Sequence, residues 1–243
     1  MNRPYINNWL YIDSGSNTAA YNMAMDEELL AKAQDGERTP VLRFYTWNPP
    51  AVSIGRFQKI ETAVRADACK RLGFDVVRRI TGGRAVLHRD ELTYSIVAPI
   101  DNPLFPPNVL GSYKVIAAGL VAGLRSLGIE ADMVSRSGRH ASLVNKNDKD
   151  PACFSSPSWY EIVVNGKKIV GSAQRRLSGS FLQHGSILIG HDPALEAEVI
   201  PGNGKGFGIT CVSRELGRSV PLDELKNAFK NGFSQALGVK FQA

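Results

Sequence analysis

The Asn165-Gly166 dipeptide constrains this fold more than any other feature, because it separates two apolar runs by only two residues. Asn-Gly flanked by apolar residues is the strongest short-range signal for a β-hairpin. The turn fixes the register, so that Val163 pairs with Lys168. Lys167 and Lys168 then point to opposite faces of the sheet, and at most one of them enters a given pocket.

Helices and strands alternate in the first half of the chain, whereas hairpins dominate the second half. Predicted helices run from a cap at Asn17 to about residue 36 and over 62–72, 113–127 and 222–237. Predicted strands cover 41–46, 51–54, 75–80, 85–87, 92–98, 159–164, 167–170 and 181–189, with a short strand at the end. This change of pattern favours a mixed sheet. We expect an α+β fold with a single domain over residues 1–243.

Composition narrows the functional classes without choosing among them. The net charge of +6 favours acidic partners, which include acidic proteins, phosphates and nucleic acid. Three irregularly spaced cysteines indicate reduced thiols rather than a disulfide framework. No apolar run approaches ~20 residues and no signal-peptide pattern is present, so the sequence predicts a cytoplasmic protein without a membrane span.

An arginine-rich glycine turn at residues 78–89 is the first candidate site. Gly82 and Gly83 follow a predicted strand, so their backbone N–H groups could closely approach a ligand. The surrounding arginines suit a phosphate or a carboxylate. A solvated turn with surface arginines explains the pattern equally well. The spacing matches neither a Walker loop nor a dinucleotide fingerprint.

Lys168 and Cys153 are the candidates for covalent chemistry. A lysine that points inward is costly to bury without a partner, so Lys168 could hold an acyl carbonyl or a thiolate. The alternative is that both hairpin lysines are edge-strand charges. Cys153 follows the polar stretch 135–150, and a loop position gives a nucleophile access. Cys69 and Cys211 are interpreted as structural.

His88 and His184 complete the set of candidate side chains. Neither has a metal-ligand spacing with another histidine or cysteine, so we predict no metal site. A satisfied core histidine or a surface histidine is the more common interpretation of each.

Five sequence blocks in order resemble the biotin/lipoate protein ligase and transferase family over nearly the whole chain. They are residues 22–27, 47–58, 78–88, 168–173 and 183–188. Within that family, residues 152–161 most resemble the cysteine-dependent octanoyltransferases. The resemblance implies a mixed, mostly antiparallel β-sheet flanked by helices, like the catalytic domain of biotinyl and lipoyl protein ligases.

The resemblance also implies an activity and its residues. An octanoyl group would move from octanoyl-[acyl carrier protein] to a lysine of a lipoyl-accepting protein, such as the glycine cleavage H protein, as the first step of lipoate biosynthesis. Cys153 would carry the acyl group as a thioester and Lys168 would assist. The substrate-binding residues implied are Arg79, Gly82, Gly83, His88, Gly171, Ser172, Ala173, His184 and Gly185. The expected protein is a monomer without cofactor, metal, nucleic acid or membrane partner.

Three other functions remain open at this point. The first is an ATP-dependent lipoate-protein ligase, in which Lys168 contacts an acyl-adenylate. The second is a transferase that moves octanoyl groups between lipoyl domains. The third is a non-catalytic basic module that binds nucleic acid, although no helix-turn-helix, zinc or RNA-recognition signature is present.

Overall fold

A computed structural model describes residues 7–134, 161–202 and 208–242 of the chain. The strands are β1 (Asn8–Asn17), β2 (Val41–Trp47), β3 (Ala51–Ile54), β4 (Asp75–Arg78), β5 (Val86–His88), β6 (Glu91–Pro99), β7 (Ala131–Met133), β8 (Ile162–Val164), β9 (Lys167–Arg176), β10 (Ser180–Leu188) and β11 (Lys240–Gln242). The helices are α1 (Ala19–Gln34), α2 (Ile60–Ala63), α3 (Ala66–Leu72), α4 (Val109–Ser126), α5 (Pro193–Val199), α6 (Val212–Leu216) and α7 (Leu222–Leu237).

Eight strands form a large sheet in the order β11-β1-β2-β6-β10-β9-β8-β7. The pairs β11-β1 and β1-β2 are parallel and the remaining pairs are antiparallel. A small second sheet has the order β4-β3-β5. The α+β prediction with a mixed, mostly antiparallel sheet is therefore confirmed.

The hairpin between β8 and β9 has the predicted register, with Val163 opposite Lys168. Asn165 and Gly166 both have positive φ, at 48° and 75°, as a type I′ turn requires. Lys167 is exposed and Lys168 is completely buried. The hairpin therefore directs one lysine into the protein, and the interpretation of both as edge charges is wrong.

One face of the large sheet carries the main apolar core. Sheet residues such as Phe44, Leu92 and Ile96 pack against α4 and α7, and α7 contributes Phe229 and Phe233. The two helices approach so closely that a Cβ on Gly232 would lie 2.4 Å from the Gly123 backbone nitrogen. No helix in the described part of the chain is long and apolar enough to cross a bilayer.

The opposite face of the large sheet carries a buried row of polar side chains instead. Ser95 on β6 lies between Arg43 on β2 and His184 on β10. Thr93 lies in the same way between Tyr45 and Ser186. Helix α1 covers part of this face, since it packs against β6 and β10. Buried polar groups need hydrogen-bond partners, so this face is where a site is expected.

Two predicted helix boundaries are wrong. Asn17 ends β1, and the cap of α1 is Thr18, whose Oγ1 accepts a 3.3 Å hydrogen bond from the Tyr21 backbone. The helix predicted over 62–72 is split into α2 and α3. The chain extends at Val64 because Arg65 N donates to Val199 O, so a tertiary contact interrupts the local helical pattern.

Four elements were not predicted, namely β1, β7, α5 and α6. Strand β9 also continues to Arg176, six residues beyond the predicted end. Its second half contains few apolar residues, so it lacks the local signal of a strand. It is held in place by pairing with β10, which the local sequence does not reveal.

The β11 edge of the large sheet is short and irregular. Strand β11 pairs with β1 only from Asn8 to Leu10. The register between β1 and β2 then shifts between Asp13 and Ser16, which marks a β-bulge or a similar irregularity. Lys226 Nζ lies 2.7 Å from Asp13 Oδ2 at this edge.

Candidate active site

A slot with about 340 Å³ of empty volume, part of it open to solvent, lies on the polar face of the large sheet. Seven predicted substrate-binding residues line it, namely Arg79, His88, Gly171, Ser172, Ala173, His184 and Gly185. They come from the Arg-Gly-Gly segment and from β5, β9 and β10. The fold therefore brings together blocks that are widely separated in sequence. The lining residues not predicted are Met23, Tyr45, Trp47, Ser53, Val86, Thr93 and Ser186.

Gly82 and Gly83 lie beside the slot and do not line it. Their turn packs against Gly55, where a Cβ would lie only 2.0 Å from the Gly83 carbonyl oxygen. Gly83 has a φ of 91°, which side chains rarely adopt. The need for glycine at positions 55 and 83 is therefore explained by the backbone contact and conformation of this turn.

Arg79 holds this turn against β3. Its Nε donates to Thr81 Oγ1 at 3.1 Å, and Nη1 donates to both oxygens of Ser53 at 3.0 and 3.1 Å. Its Nη2 donates to the carbonyl oxygens of Gly82 and Arg84 at 2.9 and 2.7 Å. These bonds match the five N–H donors of a guanidinium. We interpret Arg79 as a residue that positions the turn.

His184 links the turn to α1 and β2. Its Nε2 lies 2.8 Å from Thr81 Oγ1, and its Nδ1 lies 2.9 Å from Asp26 Oδ2. Because the ionised Asp26 carboxylate can only accept, the His184 Nδ1–H donates to it. Burial alone would raise the pKa of Asp26. The hydrogen bond from His184 and the charge of Arg43, 2.8 Å away, outweigh burial and lower that pKa.

His88 forms a second chain of the same kind. Its Nε2 lies 2.7 Å from Ser53 Oγ, and its Nδ1 lies 2.9 Å from Glu91 Oε1. The imidazole stacks on Trp47, with ring centroids 3.9 Å apart. Burial raises the pKa of Glu91, but the interaction with His88 and the hydrogen bond from Thr93 outweigh it and lower the pKa.

Two hydroxyl–imidazole–carboxylate chains therefore meet at Arg79, one through Ser53 and the other through Thr81. Both ring nitrogens of each histidine contact a protein group, so the interpretation of His88 and His184 as satisfied core histidines agrees with the geometry. A polar wall whose groups bond to one another leaves apolar surface toward the slot. Such a slot suits an apolar chain.

Lys168 lies three residues before Gly171 on β9, and it does not line the slot. Its Nζ donates a 2.8 Å hydrogen bond to Glu161 Oε1, and both side chains are buried. Glu161 was not predicted as a site residue. The signal was available, because a lysine predicted to point inward requires a counter-charge and Glu161 is the acidic residue nearest to β8 in the sequence.

The three cysteines differ in what the structure describes. Cys153 lies outside the described residues, so its catalytic role stays a prediction. Cys69 on α3 is buried, and burial raises the pKa of its thiol. Cys211 precedes α6 and is also buried. Low access disfavours a nucleophile at both positions, and the raised pKa adds to this at Cys69, so both agree with a structural role.

A metal site would need several histidine, cysteine or carboxylate side chains close together. Within residues 7–134, 161–202 and 208–242, no three such side chains are placed to hold an ion. The polar groups that line the slot bond to one another instead.

Comparisons with known proteins give a consistent result. The family described as the lipoyl protein ligase A/B catalytic domain matches residues 18–234. Octanoyltransferase LipM of Anoxybacillus flavithermus is 40% identical over 245 residues, covering 96% of this chain and 88% of the relative. Octanoyltransferase LipM of Staphylococcus epidermidis is 41% identical over 247 residues, with the same coverage. The crystal structure of lipoate-protein ligase A bound with ATP superposes with a TM-score of 0.79 at 26% identity, covering 97% of this chain and 87% of that chain.

Proposed function

Since the chain belongs to the lipoyl protein ligase A/B catalytic domain family, we propose that it is an octanoyltransferase of lipoate biosynthesis. The family prediction and the prediction of an acyltransferase are confirmed by these relatives. The donor, the covalent intermediate and the acceptor are parts of the proposal. That the protein is a single domain, cytoplasmic and monomeric stays a prediction.

The proposed donor is octanoyl-[acyl carrier protein], which holds the acyl group as a thioester. The Cys153 thiolate attacks the carbonyl carbon, a new C–S bond forms, and the carrier thiol leaves and takes up a proton. The amine of a lysine on a lipoyl-accepting protein, such as the glycine cleavage H protein, then attacks the acyl-enzyme. An amide forms and the Cys153 thiol is restored. Exchange of one thioester for another needs no ATP.

The observation that carries this proposal is the completely buried Lys168 on the strand that lines the slot. An ammonium group can donate to the carbonyl oxygen while negative charge develops on it. Glu161 accepts a hydrogen bond from this lysine and thereby limits its orientation. A thiolate would also be stabilised by a nearby ammonium group.

The slot supports the acyl-binding part of the proposal. Gly171 and Gly185 place backbone rather than side chains along the slot wall. An octanoyl chain could therefore lie directly against the sheet, between β9 and β10 on one side and Trp47 on the other.

Intact-mass spectrometry tests the covalent step. Incubation with octanoyl-carrier protein is expected to add the mass of one octanoyl group to the enzyme, and Cys153→Ser is expected to prevent it. Cys69→Ala and Cys211→Ala are the matched controls, and both should still become acylated. An unmodified wild-type enzyme that nevertheless transfers octanoate, or a fully active Cys153→Ser variant, would refute the thioester route.

The likeness to an ATP-bound lipoate-protein ligase favours one second candidate, an ATP-dependent ligase. In that reaction the carboxylate is activated as an acyl-adenylate, and Cys153 has no covalent role. Transfer to an apo acceptor is compared with octanoyl-carrier protein alone and with octanoate plus ATP and Mg²⁺. Product from the second mixture only would select the ligase.

A further inference from the structure

A cleft beside the slot is lined by Arg79 and by three further arginines, Arg56, Arg78 and Arg175. It encloses about 840 Å³ of empty volume, part of it open solvent, and Glu27 and Leu30 of α1 form part of its wall. In the described part of the chain, none of these three arginines forms an ion pair with a carboxylate. The charge of these three arginines is therefore not balanced by an ion pair within the described residues, and the cleft has an excess of positive charge.

The rim of the cleft is a braced loop that presents an aromatic side chain. Arg78 Nη1 donates to the carbonyl oxygens of Gly55, Arg56 and Gln58 at 3.1, 3.1 and 2.7 Å. Arg56 N donates to Thr81 O at 2.9 Å. Between these anchors Phe57 is 85% exposed, and the Arg56 guanidinium lies 5.6 Å from its ring centroid. A large apolar side chain held in water in this way points to a binding partner.

The cleft is contiguous with the slot. Arg79 lines both, and Arg175 follows the slot residue Ala173 by two positions on β9, a distance of about 7 Å along a strand. Lys168 lies seven residues before Arg175 on the same strand, roughly 20 Å away. An extended phosphopantetheine arm has a reach of the same order, so one arm could contact both positions.

We propose that the arginine cleft and Phe57 form the docking site of the acyl donor, with the phosphodiester of the carrier protein's prosthetic arm in the cleft. This inference rests on the proposed function. Guanidinium groups match phosphate oxygens in geometry and charge. Arginine and aromatic residues are also enriched in protein interfaces. The acceptor fits this cleft less well, because it presents a lysine amine and no phosphodiester.

Two surface variants test the proposal, Arg56→Gln and Phe57→Ser, with Lys114→Gln as the matched control. Lys114 is exposed on α4, on the other side of the large sheet. Each protein is assayed with octanoyl-carrier protein, octanoyl-phosphopantetheine and octanoyl-pantetheine. We expect Arg56→Gln and Phe57→Ser to raise the KM for octanoyl-carrier protein about five- to twentyfold, as loss of an interface contact does. The control should stay within twofold.

The small donors separate the phosphate contact from the protein contact. Arg56→Gln should also raise the KM for octanoyl-phosphopantetheine, whereas Phe57→Ser should not. Neither should change kcat/KM for octanoyl-pantetheine more than twofold, or the KM for the acceptor protein. An equal loss with octanoyl-pantetheine, a raised acceptor KM or an unchanged KM for the carrier-protein donor would each overturn the proposal.

A binding measurement without any transfer reaction tests the docking site independently of the proposed function. The Kd of the unacylated holo-carrier protein is measured by titration calorimetry against wild type and the three variants. Weaker binding by Arg56→Gln and Phe57→Ser alone supports docking, even if transfer from the carrier protein were to fail. Equal Kd values for all four proteins would reject the docking site, even if the octanoyltransferase activity is found.

Discussion

Lys168 and Glu161 form a buried ion pair, with 2.8 Å between Nζ and Oε1 and almost no exposed surface on either side chain. Removing one partner of such a pair leaves a buried charge in an unfavourable environment. We expect Lys168→Met and Glu161→Gln each to lower the free energy of unfolding by about 3–5 kcal/mol, and the double variant to lose less than their sum.

Urea unfolding of the four proteins measures that coupling. The control is the exposed pair Glu28–Lys32, where Lys32→Met should cost less than about 1 kcal/mol. Octanoyl transfer should fall about 100-fold or more in Lys168→Met, because its oxyanion donor is lost. Additive losses of stability would show that the two side chains are not coupled.

Arg79→Lys tests whether Arg79 connects the two hydroxyl–imidazole–carboxylate chains. A lysine has one nitrogen and cannot replace five hydrogen bonds that a guanidinium makes to the turn and to β3. We expect a loss of about 2–4 kcal/mol in urea unfolding, because buried acceptors lose their donors. Arg71→Lys, at an exposed pair with Glu198, is the control and should change little. Equal stability of the two variants would contradict the assigned role.

Gly185→Ala should destabilise the protein. The added Cβ would lie 2.4 Å from Gly171 O and 2.8 Å from Tyr94 Cε1, which is too close for either contact. Overpacking of this kind costs about 1–3 kcal/mol. Gly82→Ala is the control, since its Cβ would meet nothing within 4 Å. Thermal unfolding distinguishes the two, and a stable Gly185→Ala protein would show that the strands can separate.

The lowered pKa values of Asp26 and Glu91 predict a stability that depends on acid pH. A carboxyl group with a lower pKa in the folded state stabilises the fold above its unfolded pKa of about 4. That contribution is lost as the pH falls through the folded-state value. The free energy of unfolding should therefore decrease below about pH 4 because of these two groups.

Asp26→Asn and Glu91→Gln should each be less stable at pH 7 and should depend less on pH below about 4. Chemical denaturation from pH 3 to pH 7 measures both effects. Asp67→Asn, at an exposed position on α3, is the matched control and should follow the wild-type curve. If the free energy of unfolding of both buried variants still falls with pH as steeply as that of the wild type, other groups cause the acid sensitivity.

Local sequence signals were sufficient to predict the β8–β9 hairpin and the last helix, α7. Asn165-Gly166 specified both the turn and the pairing of Lys168, and α7 begins and ends at the predicted residues, Leu222 and Leu237. Seven of the eleven predicted site residues line one slot, because the family resemblance preserves blocks that the fold brings together. The hairpin placed the two lysines on opposite faces of the sheet, and the structure shows that Lys168 is the buried one.

The polar partners of these residues could not be predicted from spacing. Asp26, Thr81 and His184 are separated by up to 158 positions, and only the pairing of distant strands makes them neighbours. One signal was overlooked, namely the alternation of polar residues within apolar strands. Ser95 follows Thr93 by two positions on β6, so both face the same side, and a buried polar face was implied.

The irregular edge at β1 has a consequence for how the molecules behave toward one another. Open strand edges are templates on which another chain can add a strand, and β11 covers only three residues of this one. Beyond Leu10, the register of β1 shifts between Asp13 and Ser16, and Lys226 contacts Asp13. Both features interrupt the flat row of backbone groups that such an addition requires. Intermolecular strand pairing, and the aggregation that begins with it, is therefore disfavoured at this edge.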